Sequence, residues 1–232
     1  MKKLIWILAA VPLIVTAVLL QYMPAKMPAH YDIAGNIDRW GSKNEKMIFP
    51  IVILLMTLMF YLFMVAYEKK ANNAKSDKER AEALANAKVF RVVAPVTIGI
   101  EIVIHFFLLY KGWNAAEANV TKTSTSDMKF ICILMGIMLI IVSNLMPKTK
   151  RNPNLGFRCK YTLYNDITWK KGNWFASVAM MTAGILTILT SAFASETVSL
   201  VCMIVYVLVG MAVSIVYAKK VYEEEKETEN LK

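Results

Sequence analysis

The chain has 232 residues, of which 57% are hydrophobic, and a formal net charge of +10. A soluble domain usually carries about 45–50% apolar residues. Here the excess is gathered into long apolar blocks separated by nearly all of the charges. That pattern excludes an ordinary soluble globular domain. It also assigns the positive charge to loops that flank membrane spans, so direct nucleic-acid binding is not expected.

The blocks fall at 4–22, 47–67, 92–110, 128–146, 174–194 and 197–218. A helix of about 20 apolar residues crosses a hydrocarbon core of about 30 Å, so each block is long enough to span. Inside lipid every backbone polar group must be satisfied within the segment, which makes the blocks helices. The expected fold class is therefore all-α, a polytopic membrane protein with six transmembrane helices. Lys2 and Lys3 precede the first block as in a signal peptide. The run from Leu4 to Tyr22 exceeds the usual apolar stretch of about 7–15 residues, and no clean cleavage site ends it, so a retained span is expected.

Orientation follows from the basic residues. With the N-terminus inside, twenty of the 27 Lys and Arg lie on inner segments, which predicts both termini in the cytoplasm. The chain divides into a first helical hairpin with its outer loop at 1–70, a helical linker at 71–90 and a four-helix membrane region at 91–232. Ser76 and Glu79 match a capping box, and a helix continuous with the third span is expected there. Spans five and six are joined only by about Ser195-Glu196 and must form a tight hairpin. Ala179/Ala183 and Gly210/Ser214 are small pairs that let helices approach closely. Cys132, Cys159 and Cys202 are scattered and predict neither a disulfide framework nor a metal pair.

The first outer loop, from Met27 to Lys43, is dense in turn-formers, charges and aromatics. Two readings stand. It is an ordered loop with Tyr31 and Trp40 anchoring at the interface, or a compact surface for a peptide or headgroup. The second reading names Pro28, His30, Asp32, Gly35, Asp38, Arg39, Trp40 and Lys43 as candidate binding residues. His30, Asp32 and Asp38 are metal-ligand types without a standard ligand spacing, so no metal is expected. The inner loop after Met146 holds seven basic residues close to the bilayer, which attract anionic lipid by about 1 kcal/mol each. Its Asn152-Pro153-Asn154 followed by Gly156 prescribes a turn, which a simple charge run does not need.

The run Asn152-Pro153-Asn154-x-Gly156-Phe157-Arg158, followed by Thr162-Leu163 and Trp169, resembles the signature of the SdpI family, bacterial membrane proteins named for immunity to a secreted killing peptide. Met27-Pro28-x-His30 through Gly35, Asp38 and Gly41-x-Lys43 is similar to a domain of unknown function that often precedes that signature. The chain departs from the pattern at Phe157, Cys159 and Asn173, where the family usually has Ile, Thr and His. The resemblance implies resistance to a peptide toxin met on the outer side. As in the family's best-known systems, it also implies signalling, in which a ligand-occupied protein holds a soluble repressor at the inner face. Asn152, Pro153, Asn154, Gly156, Arg158, Thr162 and Trp169 are the motif residues that would serve there.

Glu101 lies four residues before His105, near the middle of span three and on one helix face. A carboxylate at mid-bilayer costs roughly 2.5–3.5 kcal/mol, so Glu101 must face the bundle interior, be protonated or pair with His105. The pair supports an alternative, a small secondary transporter or exporter; the bland alternative is a polar contact that locks packing. No Walker A loop, GxSxG or HExxH is present, and no nucleophile constellation stands out. The chain is accordingly read as not an enzyme, with no cofactor expected and the lipid bilayer as its first partner.

Overall fold

A computed structural model describes residues 1–32, 36–120 and 127–231. Six long helices form, α1 (Lys2–Leu19), α2 (Ile48–Asn72), α3 (Asp77–Glu117), α4 (Asp127–Ser143), α5 (Asp166–Phe193) and α6 (Glu196–Asn230). All six lie in segments long and apolar enough to cross a membrane. The fold is thus the expected all-α polytopic membrane protein. α1 and α3 run on through Pro12 and Pro95.

The helices pack as two groups of three. α1, α2 and α3 share a core in which Ile5, Ala9, Ile53, Phe60, Met64, Phe90, Ala94 and Ile98 are buried. α5 packs between α4 and α6 and makes the most extensive helix contacts of the molecule with them. A Cβ on Gly184 would lie 2.7 Å from the Gly136 carbonyl oxygen, and one on Gly136 would lie 2.9 Å from that of Gly184. Real Cβ atoms do not come that close, so α4 and α5 cross where neither carries a side chain. At the α5–α6 contact a Cβ on Gly210 would lie 3.6 Å from the Ala179 carbonyl oxygen, so one residue from each of the two small pairs does meet.

Several helices outrun the bilayer. α3 has 41 residues. At a rise of about 1.5 Å per residue it is about 60 Å long, roughly twice what a hydrocarbon core requires. It begins as expected at Ser76, whose hydroxyl accepts from the Glu79 amide at 3.2 Å. The reciprocal half of the expected box is absent, since the Glu79 carboxylate takes the Lys75 amide at 3.1 Å. α6 continues helically to Asn230, well past its last apolar residues.

The outer loop is not a loop. It is an antiparallel hairpin of β1 (Lys26–Tyr31) and β2 (Ile37–Ser42), with Met27 opposite Gly41 and Pro28 opposite Trp40. Pro28 removes a donor and register shifts flank His30, so the simple alternation that marks a strand is lost. A lone two-stranded hairpin is marginal in water. This one is anchored: Met27 is fully buried with Met23 and Leu109, and β1 packs on α3. A 3₁₀ turn at Lys43–Met47 then leads into α2.

Candidate functional site

The loop between α4 and α5 is held by carboxamides and hydroxyls, some its own and some from α2, α3 and α5. The Asn152 Oδ1 accepts from the amides of Asn154 and Leu155, both at 2.7 Å, and from the Tyr67 hydroxyl of α2 at 2.9 Å. Its Nδ2 donates to the carbonyls of Lys150 at 2.6 Å and Leu155 at 3.2 Å. The turn that Asn-Pro-Asn prescribes is therefore tied to a helix 85 residues away in sequence. Asn154 also donates to the Tyr67 hydroxyl at 3.3 Å, and Asn86 of α3 accepts from the Lys150 amide at 2.8 Å.

Gly156 comes next, at φ +88, a backbone region open to glycine and strained for other residues. A Cβ there would strike the Asn173 Oδ1. That oxygen accepts from the Phe157 amide at 2.7 Å, while the Asn173 Nδ2 donates to the carbonyls of Phe157 and Trp169 at 3.3 and 3.1 Å. Asn173, the departure from the family pattern, thus clamps the motif loop to α5 with its carboxamide. The Trp169 indole donates to the Thr149 carbonyl at 3.0 Å. The Thr162 hydroxyl donates to the Phe157 carbonyl at 3.0 Å and accepts from the Cys159 amide at 3.0 Å. Asn152, Thr162, Trp169 and Asn173 are all buried. The structure thus gathers Asn152, Asn154, Gly156, Thr162 and Trp169 into the framework of one folded element. Pro153 and Arg158 stand exposed on its surface, joined by a hydrogen bond from the Arg158 guanidinium to the Pro153 carbonyl.

Residues outside the motif complete this face. Asp166 at the start of α5 pairs with Lys78 of α3 at 2.9 Å and with Arg151 at 3.4 Å. The overhanging end of α6 folds along the loop. Glu229 accepts from the Tyr164 hydroxyl at 2.5 Å and from the Asn165 carboxamide at 3.4 Å, and Tyr222 packs between Tyr161 and Tyr164. The Glu229 carboxylate holds the exposed Tyr164 hydroxyl above the ordinary tyrosine range. Tyr67, Asn86 and Glu229 escaped the sequence reading. The available signal was a polar residue near the end of an apolar helix face, which names no partner.

At the hairpin, the His30 Nδ1 lies 2.7 and 2.9 Å from the two carboxylate oxygens of Asp38. Asp32 accepts from the Asn36 amide at 2.8 Å and from its carboxamide at 2.7 Å. Gly35 lies outside the described residues. Arg39 pairs with Glu45 at 2.9 Å, and the same carboxylate accepts from the Ser42 amide at 3.1 Å. Lys43 donates to the Met23 carbonyl at 3.2 Å, and Lys46 to that of Pro28. Trp40 remains exposed. The Tyr31 hydroxyl is pushed up to about 12, first by burial and then by the Asp127 carboxylate. His30, Asp38, Arg39 and Trp40 therefore share the surface of the hairpin, while Lys43 serves its attachment.

Within the membrane the polar pair does not form. The His105 Nε2 lies 2.8 Å from the Thr16 hydroxyl of α1, and its ring stacks on Phe49 with centroids 5.7 Å apart. The Glu101 Oε2 is buried with no hydrogen-bond partner among the described residues. Glu101→Gln is therefore expected to leave the thermal unfolding midpoint in detergent unchanged or raised. Thr16→Val leaves the buried imidazole without that partner and should lower the midpoint, at a cost of about 1–3 kcal/mol.

Six long apolar helices around buried polar contacts define a multi-pass membrane protein. The domain of unknown function DUF1648 matches residues 7–55, and the SdpI/YfhL protein family matches residues 148–218, so both regions are present in this chain. The chain is 26% identical over 220 residues, 94% of either sequence, to the Immunity protein SdpI of Bacillus subtilis (strain 168). With the six apolar helices, these matches place the chain among multi-pass bacterial membrane proteins. No solved structure matches the chain.

Proposed function

We propose that this protein confers resistance to a secreted antimicrobial peptide toxin from within the cell membrane, with both termini in the cytoplasm. The observation that carries the reading is the collinear similarity to an immunity protein over 94% of both chains. The architecture supports it. The hairpin offers His30, Asp38, Arg39 and Trp40 as a surface for a peptide on the outer side. On the other side, the motif loop and the overhanging ends of α3 and α6 form a folded surface for a soluble partner. Sequestration of a transcriptional repressor there is part of the same proposal. The linker at 71–90 would then belong to this inner surface, between the hairpin-bearing region at 1–70 and the four-helix region at 91–232.

The test is survival of a sensitive bacterial strain, with and without the protein at matched expression, against a panel of membrane-active peptides. Arg158 is exposed, and its guanidinium donates to the Pro153 carbonyl. Surface substitutions of this kind usually shift stability by no more than about 0.5 kcal/mol, so Arg158→Ala should stay folded. Specific protection by the native chain that Arg158→Ala removes is the expected result. An absence of protection against every peptide would overturn it. The second reading, a small secondary transporter, is favoured by the buried Glu101 oxygen that lacks a hydrogen-bond partner among the described residues. Protection lost with Glu101→Gln and kept with Arg158→Ala would select it.

A further inference from the structure

Lys2 and Lys3 of α1, Glu68 of α2 and Arg91 of α3 line a cavity of about 400 Å³. Tyr67, the residue before Glu68, donates its hydroxyl to the motif Asn152 at 2.9 Å, so the cavity opens on the face that carries the motif loop. Glu68 braces it. One carboxylate oxygen accepts from Lys2 and the other from Arg91, the latter at 2.9 Å. Lys3 makes no ion pair among the described residues. The stretches around the cavity, 1–31, 46–76 and 83–100, hold Glu68 as their single acidic residue. Three cationic side chains against one carboxylate leave two positive charges uncompensated.

The level of the cavity is that of lipid headgroups. The Lys2 ammonium lies over the Tyr61 ring, 5.9 Å from its centroid, and Tyr61 meets Trp6 edge to face with centroids 5.7 Å apart. Tyr and Trp collect where the hydrocarbon meets water. The apolar run of α1 starts at Leu4, directly after Lys3, and that of α3 at Val92, directly after Arg91. Leu4 and Val92 are each 41% exposed, so apolar surface adjoins the cations on the side that faces lipid. The two pairs with Glu68 are partly exposed, and such pairs are weak enough to rearrange around an incoming anion.

We propose that this cavity binds the phosphate of one anionic phospholipid from the leaflet on the motif-loop side, with an acyl chain descending past Leu4 and Val92. A basic cavity between membrane helices at the level of the headgroups is the arrangement that takes such a phosphate. The excess of positive charge selects an anion, and the adjoining apolar surface selects one that carries hydrocarbon. A free phosphate would use only the first of these.

The test is native mass spectrometry of the full-length protein released from detergent, with phosphatidylglycerol or phosphatidylcholine as the added probe. One phosphatidylglycerol per chain is expected, preferred over phosphatidylcholine by about fivefold for each of the two uncompensated charges. Lys3→Gln touches no ion pair and should lower the preference about fivefold by itself. Lys3→Gln with Arg91→Gln should abolish it, with the lipid-free unfolding midpoint unchanged. Lys69→Gln with Lys88→Gln removes the same charge from two exposed residues outside the lining and should keep the preference. Inorganic phosphate in tenfold excess should leave the lipid bound. An equal loss of preference in the two double variants would overturn the proposal, because it would assign the lipid to diffuse surface charge. Displacement of the lipid by inorganic phosphate would overturn it too, and would give the cavity to a soluble anion.

Discussion

Gly156→Val is expected to unfold the motif loop and abolish protection. At φ +88 a β-branched residue is a backbone outlier costing about 1–3 kcal/mol. The new Cβ also takes the place of the Asn173 Oδ1. Displacing that carboxamide leaves the Phe157 amide without its partner, at about 1–3 kcal/mol, while the Phe157 carbonyl keeps the Thr162 hydroxyl and the Trp169 carbonyl stays within α5. The combined loss, about 2–6 kcal/mol, should show as a lower unfolding midpoint in detergent and as new proteolytic cutting between Lys150 and Lys160. Asn173→Ala removes the same bonds without backbone strain and should lie between the native chain and Gly156→Val. An unchanged midpoint and cutting pattern in Gly156→Val would show that the loop does not depend on this clamp.

Gly184→Leu is expected to give the other large loss. Its Cβ would sit 2.7 Å from the Gly136 carbonyl and 2.9 Å from the Ile140 side chain, so α4 and α5 must move apart. Overpacking of this kind typically costs about 1–3 kcal/mol, and more when rigid backbone is the obstacle. In a membrane the cost is not recovered elsewhere, because close packing rather than water exclusion holds helices together. Gly136→Leu should do the same from the opposite helix. Gly99→Leu is the control, since nothing lies within 4 Å of a Cβ at that position. The unfolding midpoints should fall for the first two variants and hold for the third. Equal midpoints for all three would remove the Gly136–Gly184 crossing as the determinant of α4–α5 packing.

The six spans were legible because hydropathy is a local property, and an apolar run long enough to cross lipid has one structural outcome. The helix start at Ser76 and the turn at Asn152–Gly156 were legible for the same reason, since capping and turn chemistry act within a few residues. The hairpin was not, because Pro28 and the register shifts break alternation and its stability comes from docking Met27 beside Leu109. Glu101 and His105 lie on one helix face, but the imidazole takes Thr16, 89 residues away. Spacing says which residues can meet, and packing of α1 against α3 decides which do.

Six membrane helices, the basic and polar segments between them and the order of the two motif-bearing regions all follow from local sequence. Folding in three dimensions makes most of the motif internal framework, held by Tyr67, Asn86 and Asn173, while Arg158 and Pro153 remain on the surface. It likewise decided that the end of α6 lies against that loop and that Gly136 and Gly184 mark the close crossing of α4 and α5. The reason is physical: hydropathy, caps and turns are set by neighbours along the chain, whereas a buried carboxamide or a glycine crossing is satisfied only by groups the fold brings from far away.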